Sequence, residues 1–174
     1  MKTLTFIIVC ILSVFVLFTA HGQNAPREKY LNAGLGFGAF TAGGIPIGAS
    51  LEIGLKENIS VGGFFDYSRY GYNFGGYKWS YNFIYFGARG SYHFGDLLEL
   101  TESKLDPYAG ASLGIRIASY SDNDGYGSFV SPYSGGIITG LHVGARYFLN
   151  NNFGGFAEVG YGVAALRLGI TLKF

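Results

Sequence analysis

The chain has 174 residues, enough for one domain, and combines 13% charged with 18% aromatic residues and 29 Gly. A formal charge of +1 leaves no basic surface for nucleic acid and no acidic tail. Charges this sparse cannot clothe a soluble domain of this size, and a single cysteine, Cys10, excludes a disulfide framework and a cysteine metal site.

The chain opens with Lys2 and an apolar run from Leu4 to Phe18, broken by Thr5 and Ser13. Ala20-His21-Gly22 is a small-x-small site, so residues 1–22 read as a signal peptide cleaved before Gln23. The run is short for a bilayer-spanning helix. Cys10 lies inside it, whereas a lipidated cysteine would follow it. Loss of Lys2 leaves eleven basic and eleven acidic residues, a formally neutral exported chain. Residues 23–29 are a short polar lead-in. Nothing later is long and apolar enough for a spanning helix. High aromatic and Gly content with few charges then points to a β-barrel whose outer face meets hydrocarbon.

Residues 30–174 read as one such domain of eight strands with period-two alternation. The first, about 30–40, sets Leu31, Ala33, Leu35, Phe37 and Ala39 against Asn32, Gly34, Gly36 and Gly38. The second and third, about 46–55 and 59–69, meet at a tight polar turn, Lys56-Glu57-Asn58. A Tyr/Gly loop at 70–78 leads to the fourth, about 79–94. The connection 95–106 is long, and strand ends can extend into it. The fifth strand, about 107–118, starts at Pro107, where a missing N–H matters least. A Ser, Asp, Gly and Tyr loop spans 119–135. The sixth and seventh strands, 136–148 and 153–162, flank Asn150-Asn151-Asn152, and a turn near 163–165 leads to the last. That strand alternates Leu166, Leu168, Ile170, Leu172 and Phe174 with Arg167, Gly169, Thr171 and Lys173. Short turns at one end and longer loops at the other are the polarity of an outer-membrane barrel with both termini in the periplasm.

Composition decides which face is inside. A soluble barrel of the lipocalin kind would carry a polar outer face dense in Lys and Glu. Here the polar face is mostly Gly and Ser, with about one charge per strand, which suits a crowded eight-stranded lumen. Glu52, Asp66 and Glu158 would then share the lumen with Arg89, Arg116, Arg146, Arg167 and Lys173, near Tyr85 and His142. Buried charges must pair, so the expectation is a packed lumen rather than a narrow ion path. Tyr30, Phe94, Tyr108, Tyr147 and Phe174 at one end, and Tyr67, Tyr70, Tyr72 and Trp79 at the other, would form two interfacial girdles.

The stretches Tyr85–Phe94, Leu105–Gly110 and Ala165–Ile170 resemble small outer-membrane β-barrel proteins of the Bacteroidota, in the OmpA-transmembrane/OmpX-like class. The closing Leu166, Leu168, Ile170, Leu172 and Phe174 resemble the terminal strand that marks such chains for assembly. The resemblance implies an all-β, eight-stranded antiparallel up-and-down barrel in the bacterial outer membrane, related to porin-like families. It also implies partners: outer-membrane lipid and lipopolysaccharide, periplasmic chaperones and the barrel-assembly machinery. The peptidoglycan-binding domain of full-length OmpA proteins is lacking, so no cell-wall anchor is expected.

The function expected is structural, or surface interaction through the loops 70–78 and 119–135 with an unknown extracellular ligand. A lipid A-modifying enzyme and a narrow channel are the alternatives. His93 and His142 point inward and Ser91 and Ser112 are possible neighbours, but no nucleophile–base–orienter set is evident. No catalytic residue, cofactor or metal site is expected. Asp122-Asn123-Asp124-Gly125 lacks the later ligands of a calcium loop and reads as a solvated turn. Gly34, Gly36 and Gly38 precede no helix and cradle no phosphate.

Overall fold

The computed structural model describes residues 28–41, 43–56, 58–74, 77–95, 97–98, 104–122 and 134–174. The proposed signal peptide, residues 23–27 of the lead-in and residues 123–125 of the acidic turn lie outside the described residues.

Eight strands form one closed antiparallel barrel in chain order: β1 (Lys29–Ala39), β2 (Ile47–Lys56), β3 (Ile59–Phe74), β4 (Tyr77–His93), β5 (Leu105–Asp122), β6 (Gly136–Phe148), β7 (Phe153–Tyr161) and β8 (Ala164–Lys173). β8 closes on β1 from Tyr30↔Lys173 to Ala39↔Ala164. Closure gives each strand two partners and removes the open edges that a flat sheet would expose. Turn chemistry fixes the register. Asn150 Oδ1 accepts the backbone N–H of Asn152 at 3.0 Å and of Phe153 at 2.8 Å, closing the β6–β7 hairpin. The β7–β8 turn contains Gly162 at φ 126°, a conformation that side chains disfavour.

Three expectations change. The 70–78 stretch is not a loop, because β3 and β4 stay paired from Ser68↔Phe83 to Phe74↔Tyr77. Its tyrosines and phenylalanines favour strand, and pairing satisfies the backbone that a loop would leave to water. Likewise Ser119–Asp122 belongs to β5, paired with β4 up to Trp79↔Asp122. Pro107 is the third residue of β5 rather than the first. It still stands where pairing with β4 begins: its carbonyl takes the Phe94 N–H at 2.8 Å, and the Phe94 carbonyl takes that of Leu98 instead.

The alternation sorts side chains by face. Leu35, Leu51, Phe65, Phe86, Leu113, Val143 and Leu168 are exposed on the outer wall. Asn32, Ser50, Glu52, Asp66, Arg89, Arg146 and Thr171 are buried inside it. This inverts the distribution of a water-soluble domain. Glycine makes room inside: a Cβ at Gly48 would collide with the Asp66 carboxylate, and one at Gly110 with the His142 ring.

Candidate functional site

The half of the lumen nearest the termini is ionic. Glu52 on β2 is 0% exposed, and so is Arg146 on β6. Arg146 Nη2 donates to Glu52 Oε1 at 3.0 Å, Nη1 to Asp106 Oδ2 at 2.9 Å and Nε to Asn32 Oδ1 at 3.2 Å. Its guanidinium lies between the rings of Tyr30 and Tyr108, 4.5 and 4.2 Å from their centroids. Arg89 Nη2 donates to Glu158 Oε2 at 2.8 Å, and its Nε lies 3.2 Å from Glu52 Oε1 without hydrogen-bond alignment. Tyr108 also donates to Glu158, at 3.1 Å. Six strands, β1, β2, β4, β5, β6 and β7, therefore supply one connected cluster. Arg167 Nη2 and Asp66 Oδ2 form a separate pair at 2.8 Å.

His142 is buried, with Nε2 3.1 Å from Ser91 Oγ. Two residues expected in the charge network stand apart. Arg116 donates to the Ser134 carbonyl rather than to a carboxylate, at the end away from the termini. Lys173 pairs at 3.0 Å with Glu28, where the barrel ends and both side chains are partly exposed. Burial pushes the Glu28 carboxyl up, but hydrogen bonds from Tyr30 and Lys173 outweigh it and hold the group below its ordinary range.

The other half of the lumen is aromatic. Phe64, Tyr81, Phe83, Tyr85 and Val163 form one buried cluster, and Thr41 Oγ1 and Tyr85 OH are 2.8 Å apart. A cavity of about 40 Å³ lies between the halves, bordered by Arg89, Ser112, His142, Glu158 and Arg167 and rimmed by Leu141 and Tyr161. It sits where β6–β7 pairing ends, at Leu141↔Tyr161.

The girdles need correction. Tyr30 and Tyr108 point into the lumen, and Trp79 and Tyr81 pack together on the inner face of β4. The reason is parity: Tyr30 shares a face with Asn32 and stands opposite the inward Glu52, and Tyr108 shares one with the inward Ser112. Tyr67, Tyr92, Tyr147 and Phe174 do face outward. In β8, Leu168, Ile170 and Leu172 are exposed, as is Phe174 just after it, and Leu166 is half-buried. Lys29 Nζ lies 5.7 Å above the Phe174 ring.

Sequence reading found no nucleophile–base–orienter set, yet the described residues include one such alignment. Ser60 Oγ lies 2.8 Å from His93 Nε2, and His93 Nδ1 lies 2.8 Å from Asp106 Oδ1. The three come from β3, β4 and β5, and Asp106 had been placed in a connection, so spacing gave no signal. Ser60 is 0% exposed, and its hydroxyl donates to Glu52 Oε2 at 2.9 Å. A nucleophile needs substrate access and a proton aimed at its base. This serine has neither.

No family model matches the chain, and no curated protein matches it. Among solved structures, the N-terminal β-barrel domain of Pseudomonas aeruginosa OprF aligns with a TM-score of 0.57 and 16% identity, over 85% of this chain and 98% of that one. Neisserial surface protein A aligns at 0.50 and 23% identity, over 85% and 95%. A de novo designed transmembrane β-barrel aligns at 0.50 and 16%, over 88% and 100%. The fold is that of an outer-membrane β-barrel. At these identities the likeness speaks for architecture alone.

Proposed function

We propose that this chain is an outer-membrane protein with a structural or surface-interaction role, its lumen packed shut rather than conducting. One observation carries the reading: the outer wall is apolar and exposed while ionised side chains are sealed inside. Only a hydrocarbon surrounding makes that arrangement favourable. The finer resemblance to small barrels of the Bacteroidota, the signal-peptide route and the partners it implies belong to this proposal. Those partners are lipopolysaccharide, periplasmic chaperones and the assembly machinery.

Interaction would fall to the end away from the termini. There β3, β4 and β5 run on beyond the last β2–β3 pair, Ile47↔Tyr67. The extension presents the exposed Arg69, Tyr70 and Tyr120, residue types that serve as anchors in interfaces. The reading assigns the chain no catalysis, because Ser60, the serine in line with His93 and Asp106, is sealed. Replacing residues 70–78 and 119–135 by short turns tests it in bacterial cells. The account expects barrels that still insert but no longer bind the cell surfaces or matrix components the intact chain binds. Failure to insert would mean that the barrel needs the β3–β4–β5 extension in order to fold, and would remove these segments as a separable binding surface. Lipid A mass spectra should be the same with and without the protein, and altered acylation would refute the non-enzymatic reading.

A further inference from the structure

The outer wall changes character part-way along β3, β4 and β5. The last row of the apolar belt there runs Ile47↔Tyr67↔Ile84↔Ile117. The next outward row, further from the termini, is Arg69↔Asn82↔Ser119, and the one after it is Gly71↔Ser80↔Ser121. Alternation puts both rows on the outer side of the ribbon. Its inner side is aromatic: Trp79 meets Tyr70 and Tyr81, and Tyr81 meets Tyr120. Around the rest of the rim the exposed residues near the strand ends stay apolar, at Phe40, Ile45, Ile137 and Tyr161. The polar face therefore rises on one side of the barrel alone.

Its height can be placed. Two residues of a strand at the usual tilt rise about 5 Å along the membrane normal. The headgroup layer of one leaflet is about 5–8 Å deep. Arg69, Asn82 and Ser119 thus stand within that layer. Ser121, about 10 Å above the belt by the same rise, stands beyond the head of an ordinary phospholipid.

The face offers donors. Tyr67 OH donates to Asn82 Oδ1 at 2.7 Å, which leaves the Asn82 amide N–H groups to donate elsewhere. Arg69, Ser119 and Ser121 are exposed. Arg89, Arg116, Arg146 and Arg167 all donate to acceptors inside the barrel or at its mouth. Arg69 faces out, and among the described residues no acid pairs with it. Neither polar row contains a carboxylate.

We propose that Arg69, Asn82, Ser119 and Ser121 form a docking face for a phosphorylated glycolipid of the outer leaflet. Arg69 and Asn82 take its phosphate, and the serines take sugar hydroxyls. A guanidinium beside an amide suits phosphate oxygens, because charge-assisted N–H···O bonds are the strong ones. Height selects glycolipid over phospholipid, since a sugar still supplies hydroxyls at the level of Ser121. The inference rests on the outer-membrane reading and adds to it the lipid class and the side chains that hold it.

The test titrates the full chain, folded in amine-oxide micelles whose heads carry neither phosphate nor sugar. Three probes are added separately: lipopolysaccharide, lipopolysaccharide stripped of its phosphates, and phosphatidylglycerol. The NMR signals of the Asn82 side-chain amide and the Arg69 Nε–H report contact. Lipopolysaccharide should move both, and each of the other two probes should bind about tenfold more weakly. Arg69→Gln should weaken lipopolysaccharide binding by about the same factor. Equal affinity for lipopolysaccharide and phosphatidylglycerol, or equal affinity with and without the phosphates, overturns the proposal. The wild-type titrations decide by themselves, so a variant that fails to fold leaves the test standing. A chain that folds in micelles but responds to none of the three probes overturns this inference alone. One that folds in no surfactant or lipid overturns the outer-membrane reading with it.

Discussion

Replacing Arg146 by Met would leave Glu52 and Asp106 without their shared counter-ion and two aromatic rings without the cation between them. Breaking a buried ion pair from one side costs about 3–5 kcal/mol, so Arg146→Met should lower stability by that order in denaturant unfolding from micelles. Adding Glu52→Gln should recover part of the loss, since it removes one stranded charge. A double variant worse than the sum of its parts would contradict the cluster. The Glu28–Lys173 pair makes a smaller, pH-dependent prediction. Glu28 is held below its ordinary range, so its contribution exists above that range and fades as pH falls through it. Both partners are partly exposed, so the effect should be slight, and Glu28→Gln should flatten it in acid titrations of the unfolding midpoint. Among single residues, the inward charges were legible because period two places Glu52, Asp66, Arg89, Arg146, Glu158 and Arg167 on one face of each strand. The same parity also assigned Tyr30 and Tyr108 to that face. A girdle argument based on distance from strand ends overrode it and misplaced both rings.

Strand existence was written plainly in the alternation, and strand ends were not. Aromatic and Gly-rich residues such as Tyr70-Gly71-Tyr72-Asn73-Phe74 suit a paired ribbon as well as a loop, and only the partner strand decides. Asp106 shows the consequence for the site: assigned to a connection, it was lost as a partner for His93 and Arg146. Ser60 and Ser91 were legible as inward residues, but which histidine each would meet depends on the stagger between strands. The outer wall supports a prediction at this scale. Leu113, midway along β5, is 59% exposed and neighbours Ala88 and Thr139 across its strand pairs. If lipid covers it, Leu113→Lys should destabilise the inserted barrel by about 2–4 kcal/mol, measured by denaturant unfolding from vesicles. A change near zero would place this wall in water.

At the scale of the whole molecule the two lumen halves divide the work. The ionic half joins β1, β2, β4, β5, β6 and β7 through directional contacts, and the aromatic half packs β3, β4 and the β7–β8 turn by shape. Such a barrel gains its cooperativity from closure, since no strand can leave without breaking two ladders. The central claim is that the apolar wall faces acyl chains. The most direct measurement is the state of the purified chain as surfactant is withdrawn, followed by sedimentation with and without phospholipid vesicles. The account predicts precipitation or aggregation in plain buffer, and a vesicle-bound form whose gel mobility shifts on boiling. A chain that stays dissolved as a folded monomer in buffer alone would contradict it.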